Sequence, residues 1–257
     1  MNPVTVERSN PVSEIIASIP HSSPQLTPEM IQSKKSNIIL PNNDWFLNDL
    51  YNFLSDLNIT KVSANYSRYV IDVNRHIGLK QSENEYTKSL IYRKSTFGKN
   101  IYGRPLSEEV ITKRINSIYL PYHNTLSKEI KASLKLNNKA FLLDLHSFYI
   151  QSNADVVLGT CHDKSCSSNF LEIVRSAFET EGFTVKVDEK GLSGGYIVNT
   201  YGSWSNVEAI QIELRYTIYI ENRKFDEEEV MTRNEELFNK TQNRLSKVFS
   251  KIKSVVN

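Results

Sequence analysis

Apolar residues recur along this chain in two rhythms. Short blocks rich in Ile, Val, Leu and Phe alternate with longer stretches whose apolar positions return every three or four residues. The short blocks predict strands at EIIASIP (14–20), AFLLDLHSF (140–148), DVVLGT (155–160), FTVKVDE (183–189) and VEAIQIELR (207–215), and strands or a hairpin at KVSANYS (61–67) and YVIDVN (69–74). AFLLDLHSF is apolar almost throughout, the pattern of a strand covered on both faces.

The longer stretches predict helices. Residues 42–58 place Trp45, Phe46, Leu50, Phe53, Leu54 and Leu57 at helical spacing, with Asn43 or Asp44 as the cap. Residues 107–138 open on Ser107 as N-cap and are kinked or split by Pro121. Residues 167–182 end at Gly182. A C-terminal helix is expected over 226–254, with Asp226 and Glu229 in capping-box spacing and a stripe of Val230, Leu237, Phe238, Leu245, Val248, Phe249 and Ile252. Residues 76–106 are polar and without period, which predicts a long functional loop. The alternation predicts an α/β fold in a single domain spanning 1–257, its mixed, largely parallel sheet covered by helices on both faces.

Composition changes this picture little. The formal net charge is +2, with 39% hydrophobic and 23% charged residues, so charge gives no reason to expect nucleic acid or membrane partners. No run reaches the roughly 18 apolar residues that span a bilayer, and the N-terminus lacks a basic-then-apolar leader, so a cytoplasmic location is expected. Cys161 and Cys166 flank His162 without a fourth metal ligand and are read as reduced thiols. Three of the nine glycines crowd into KGLSGGY (190–196), where the backbone must do something unusual.

In open α/β sheets, sites gather at the carboxyl ends of strands. The polar residues there are His21, Asp72 to Arg75, His146 and Glu213. Two imidazoles and one carboxylate make a common catalytic zinc set, and Asp44 is the candidate for the carboxylate. Each histidine could equally satisfy a local hydrogen bond. Asp144, two residues before His146 on one strand face, could orient it. Glu213 interrupts an apolar strand and must be paired, metal-bound or catalytic; the competing arrangement is an ion pair with Arg215. Asn74 and Arg75 together suit a substrate carboxylate.

Eight short motifs, SIPHSS, NDW, YSRYVIDVNR, PYH, DLHS, LGT, GGYI and QIELR, occur in the order seen in the N-formylglutamate amidohydrolase family, which the chain resembles over about residues 13–220. That family is distantly similar to the zinc carboxypeptidases. The resemblance implies a carboxypeptidase-like, phosphorylase/hydrolase-like fold and a zinc-dependent amidohydrolase acting on an N-acyl amino acid such as N-formylglutamate. It implies one zinc ion on His21, Asp44 and His146, with Glu213 as catalytic base. It further implies Asn74 and Arg75 on the substrate carboxylate, and Gly194 and Gly195 approaching the substrate with their backbone. Arg68 or His123 is the expected oxyanion donor, and Tyr196 is expected to wall the pocket. The chain carries Ser193 before the paired glycines where the family usually has a basic residue; Lys190, Arg104 and Arg68 are the cations considered to meet an acidic side chain instead. Two other readings stand beside this one: a zinc peptidase or amidase acting on a peptide end or cell-wall fragment, and a non-catalytic binding domain that keeps the fold.

Overall fold

Two nine-residue strands, β4 (Ala140–Phe148) and β7 (Val207–Arg215), run parallel through the centre of the sheet, paired from Ala140 with Val207 to Phe148 with Arg215. The computed structural model describes residues 1–79, 89–149 and 152–256. Around the central pair lie β1 (Val4–Glu7), β2 (Ile15–Ile19), β3 (Thr60–Ala64), β5 (Val156–Gly159) and β6 (Val185–Val187), in the order β1-β3-β2-β4-β7-β5-β6. β3, β2, β4 and β7 are mutually parallel, β1 is antiparallel to β3, and β5 is antiparallel to β7 but parallel to β6. The sheet is therefore mixed with a parallel centre, as the alternation of elements predicts.

Side-chain alternation sorts the sheet into two cores. Ile15, Ala17, Ile19, Phe141, Leu143, Leu145, Ile210, Ile212 and Leu214 pack against helices α5 (Ser168–Thr180) and α7 (Glu235–Val256), through Phe170, Val174, Phe178, Leu245, Phe249 and Ile252. Ile16, Ala140, Leu142, Val207 and Ala209 face α4 (Leu120–Asn137) and α6 (Tyr196–Tyr201), through Tyr122, Leu126, Ile130, Ile197 and Val198. The second face changes character along its length: Leu142 gives way to Asp144 and His146, and Ala209 to Gln211 and Glu213. Buried polar groups require partners, and these side chains supply one another's at the carboxyl edge.

Several local expectations are corrected. The helix expected over 42–58 is reduced to α2 (Leu47–Leu50) and a short 3-10 turn at Asn52–Leu54. Asn42, Asp44 and Phe46 adopt left-handed φ angles of 59°, 48° and 63°, which no α-helix accommodates. Asp44 thus turns towards the sheet edge and does not cap a helix. YVIDVN forms turns and no strand. The helix expected from 226 begins at Glu235, and Glu229 accepts a hydrogen bond from the Leu40 amide at 3.1 Å across the chain. Residues 107–138 split ahead of Pro121: α3 (Glu108–Arg114), capped by Ser107, leads through a π-turn at Ile115–Tyr119 into α4. Within 76–106, residues 76–79 and 89–106 carry no helix or strand, and 80–88 lie outside the described residues. α1 (Pro28–Ser33) is a further short helix. No helix among the described residues is long and apolar enough to cross a membrane.

Candidate active site

The parallel centre of the sheet decides where the chemistry collects. His21 follows β2 by two residues, His146 stands near the end of β4, and Glu213 is its register partner on β7. One ligand atom from each of His21, Asp44 and His146 lies within 4.8 Å of the others. Asp44 Oδ2 is 3.1 Å from His146 Nδ1 and 3.4 Å from His21 Nδ1. All three residues are buried, exposed by no more than 3%.

Both histidines are oriented from behind by a second carboxylate. His21 donates from Nε2 to Asp72 Oδ1 at 2.7 Å, and His146 from Nε2 to Asp144 Oδ2 at 2.9 Å. A carboxylate only accepts, so each ring gives its Nε2 proton to the acid behind it and turns Nδ1 towards Asp44; without a cation the 3.1 Å contact of His146 Nδ1 with Asp44 holds a second proton, which a metal would displace. His21 Nδ1 is buried and makes no hydrogen bond, a position that costs free energy unless a cation occupies the gap. Two neutral imidazole nitrogens, one carboxylate oxygen and an open side fit a divalent metal. These three residues could hold one.

The carboxylates behind the rings are themselves supported. Asp144 Oδ1 accepts from Ser18 at 2.6 Å, and the Ser18 hydroxyl pairs with Tyr122 at 2.7 Å. Asp72 accepts from Tyr92, from the Asn74 amide at 2.8 Å and from Arg68 at 3.3 Å, and Arg75 Nε lies 3.8 Å away. Burial works against ionisation of Asp72, but His21, Arg75 and Arg68 outweigh it and hold its carboxyl well below the usual range. Asp44 is depressed similarly: burial opposes its charge, and His146 and His21 overcome it. Burial also disfavours a charged His146, yet Asp144 holds its pKa well above the ordinary imidazole value.

Glu213 differs. Burial pushes its carboxyl up to about 7, only partly offset by His146, and Gln211 donates to its Oε1 at 2.7 Å. The alternative ion pair with Arg215 does not form: Arg215 donates to the Asn153 carbonyl at 3.2 Å. A carboxyl poised near neutrality beside a metal-type cluster suits proton transfer.

These groups open onto a cavity of about 500 Å3. Arg68, Asn74 and Arg75 line one part of it, together with Gly194 and Gly195. Tyr149, Tyr216 and Phe225 line another and meet edge-to-face, with ring centroids 5.1 and 5.5 Å apart about Phe225. The glycines are required where they stand. A Cβ on Gly195 would lie 2.3 Å from Asn74 Nδ2, and Gly194 has φ +109°. Asn74 Oδ1 accepts from the Ile197 amide at 2.8 Å, which ties the Asn74–Arg75 segment to the start of α6.

Three expected site residues lie elsewhere. Arg104 lines a separate surface groove with Glu29 and Tyr102. Tyr196 is absent from the cavity lining and packs edge-on to His76 and His123, at 5.4 and 5.5 Å. Both ring nitrogens of His123 are engaged away from the cavity, by the Val73 carbonyl at 2.8 Å and Tyr201 Oη at 3.0 Å, so it has no donor left for an oxyanion. Lys190, also considered as a substitute cation, is exposed and outside the lining. Cys161 and Cys166 are free thiols. The role of Asp72 behind His21 was not read from the sequence; the lone acid in the apolar run YVIDV was its available signal.

Comparison with known proteins gives the family of the chain. An N-formylglutamate deformylase of Pseudomonas putida is 29% identical over 245 residues, covering 89% of this chain and 88% of its own length. One of Pseudomonas aeruginosa is 30% identical over 230 residues, covering 81% and 83%. The crystal structure of N-formylglutamate amidohydrolase from Ralstonia eutropha JMP134 superposes with a TM-score of 0.80 at 22% identity, over 100% of this chain and 99% of that one, and thus shares the fold. Residues 13–220, carrying every residue of the His–Asp–His cluster as well as Glu213, match the N-formylglutamate amidohydrolase family, and the chain belongs to it.

Proposed function

We propose that the protein is a metal-dependent amidohydrolase that cleaves the linear amide of an N-acyl amino acid, with N-formylglutamate, named for its relatives, as the reference substrate. The observation that carries this reading is the register pairing of His146 with Glu213, which sets a near-neutral carboxyl beside a preassembled His–Asp–His ligand set.

His21, Asp44 and His146 would hold the cation, zinc by the character of the donors. When bound, it supplies Lewis-acid polarisation of the acyl carbonyl and lowers the pKa of water. Glu213 Oε takes a proton from the attacking water and returns it to the nitrogen of the departing amine. Arg68, whose guanidinium lies 3.7 Å from Asp44 Oδ1, faces charge developing on the acyl oxygen. Arg75 and Asn74 receive the α-carboxylate, and the backbone at Gly194 and Gly195 lets the substrate approach closely. Formate release from N-formylglutamate by metal-loaded protein tests the reading, with Glu213→Gln as control. No release by wild type, or equal release by both, counts against it.

The aromatic trio Tyr149, Tyr216 and Phe225 favours a second substrate range within the same chemistry, in which a neutral or peptide-like side chain packs on that wall.

A further inference from the structure

We infer that Tyr119 and His123 are positioning residues which clamp the Val73–Arg75 backbone and so fix the carboxylate-binding pair Asn74 and Arg75. Tyr119 Oη donates to the Arg75 carbonyl at 2.8 Å, and His123 Nε2 donates to the Val73 carbonyl at 2.8 Å. The two bonds bracket Asn74. They matter because this segment is built of turns and has no sheet ladder to hold it.

The clamp depends on a specific irregularity of the helix. Tyr119 and His123 are four residues apart and therefore share a helix face. They straddle the junction of the π-turn Ile115–Tyr119 with α4, whose second residue is Pro121. A π-turn adds a residue to one turn and rotates everything beyond it, and such turns concentrate at functional sites. Here it lets Arg114, before the turn, hold the Val70 carbonyl at 2.7 Å while Tyr119 and His123 reach Arg75 and Val73. One helix thus grips a single loop at three carbonyls.

Tautomer and charge agree with the geometry. Burial lowers the pKa of His123 to about 4, so the ring is neutral; Nε2 carries the proton given to Val73, and Nδ1 accepts from Tyr201 Oη at 3.0 Å. The Tyr119 and His123 rings also touch, with centroids 4.4 Å apart. Neither side chain contacts the cavity, so their influence passes through backbone.

The inference rests on the proposed carboxylate role of Arg75. The test measures kcat and KM of zinc-loaded wild type, Tyr119→Phe, His123→Ala and His123→Gln on N-formylglutamate and on its α-carboxamide. Loss of one hydrogen bond corresponds to about threefold to tenfold. Tyr119→Phe and His123→Ala should raise KM by that factor for the carboxylate substrate, leave kcat within about twofold, and leave the carboxamide unaffected. His123→Gln, which keeps an amide donor, should recover most of the loss. Equal effects on both substrates, or a fall in kcat at constant KM, overturn the clamp. If wild type itself fails to distinguish carboxylate from carboxamide, the role of Arg75 fails. The clamp is then decided by NMR of the Arg75 Nε–H: greater mobility in Tyr119→Phe upholds it, and unchanged mobility ends it.

Discussion

His146 and Glu213 stand directly opposite each other on adjacent parallel strands, β4 and β7. The register places a metal-type ligand and a proton acceptor side by side with no loop between them. Sites built on strands are held more tightly than sites on loops. Flanking apolar pairs, Leu145 with Ile212 and Leu143 with Ile210, lock that register, because a one-residue slip would turn each polar side chain into the opposite core.

Replacing Glu213 by Gln keeps its shape and removes its basicity. The expected loss in kcat is about 10²–10⁴-fold, with metal content unchanged. Since the protonated carboxyl cannot accept a proton, wild-type kcat/KM should rise with pH. The midpoint should lie at or below about 7, as a bound cation favours the ionised form. The variant should lack this limb. A pH–rate profile with metal analysis checks both statements.

Metal affinity should increase with pH. Without metal, Asp144 keeps His146 protonated well above the ordinary imidazole range, whereas a ligand must be neutral. Each displaced proton steepens affinity by up to about tenfold per pH unit below that pKa. Zinc titration by calorimetry in buffers of different ionisation enthalpy counts the protons. Asp144→Asn should release fewer and bind zinc about 10–100-fold more weakly.

Asp72→Asn tests the other orienting carboxylate. It removes the anion that faces His21, Arg68 and Arg75 together. The expected outcome is about 10–100-fold weaker metal binding, accompanied by a higher KM because two cations lose their shared partner. An unchanged metal affinity would show that His21 does not need Asp72.

Gly195→Ala should damage binding through Asn74. The added methyl would sit 2.3–2.6 Å from three atoms of that side chain and must displace it. Overpacking of this kind costs about 1–3 kcal/mol. Thermal melting should register that loss, and KM should rise more than kcat falls.

A panel of N-formyl amino acids separates the two substrate ranges. Among the described residues, the cations lining the cavity are Arg68 and Arg75, both drawn towards Asp72, while the other wall is aromatic. Neutral side chains should therefore be processed within about tenfold of glutamate, roughly one hydrogen bond to a charged group or less. A preference for glutamate beyond a hundredfold would point to a dedicated acidic-side-chain site.

The strands of the sheet core were legible in the sequence because period-two burial leaves its mark on every residue, and so was the clustering of His21, His146 and Glu213 at strand ends. The family motifs point to His21, Asp44, His146 and Glu213 from the chain alone. What the chain alone did not reveal was direction. Asp44 looked like a helix cap, and only packing against the sheet edge holds it in a left-handed turn facing two imidazoles. His123 and Arg104 carried suitable chemistry, yet the tertiary structure gives His123 to two distant oxygens and Arg104 to another groove. Asp72 gained its role from His21, 51 residues away. Periodicity is a local property written by burial; the aim of a polar side chain is set by partners remote in sequence, and those exist only once the chain has folded.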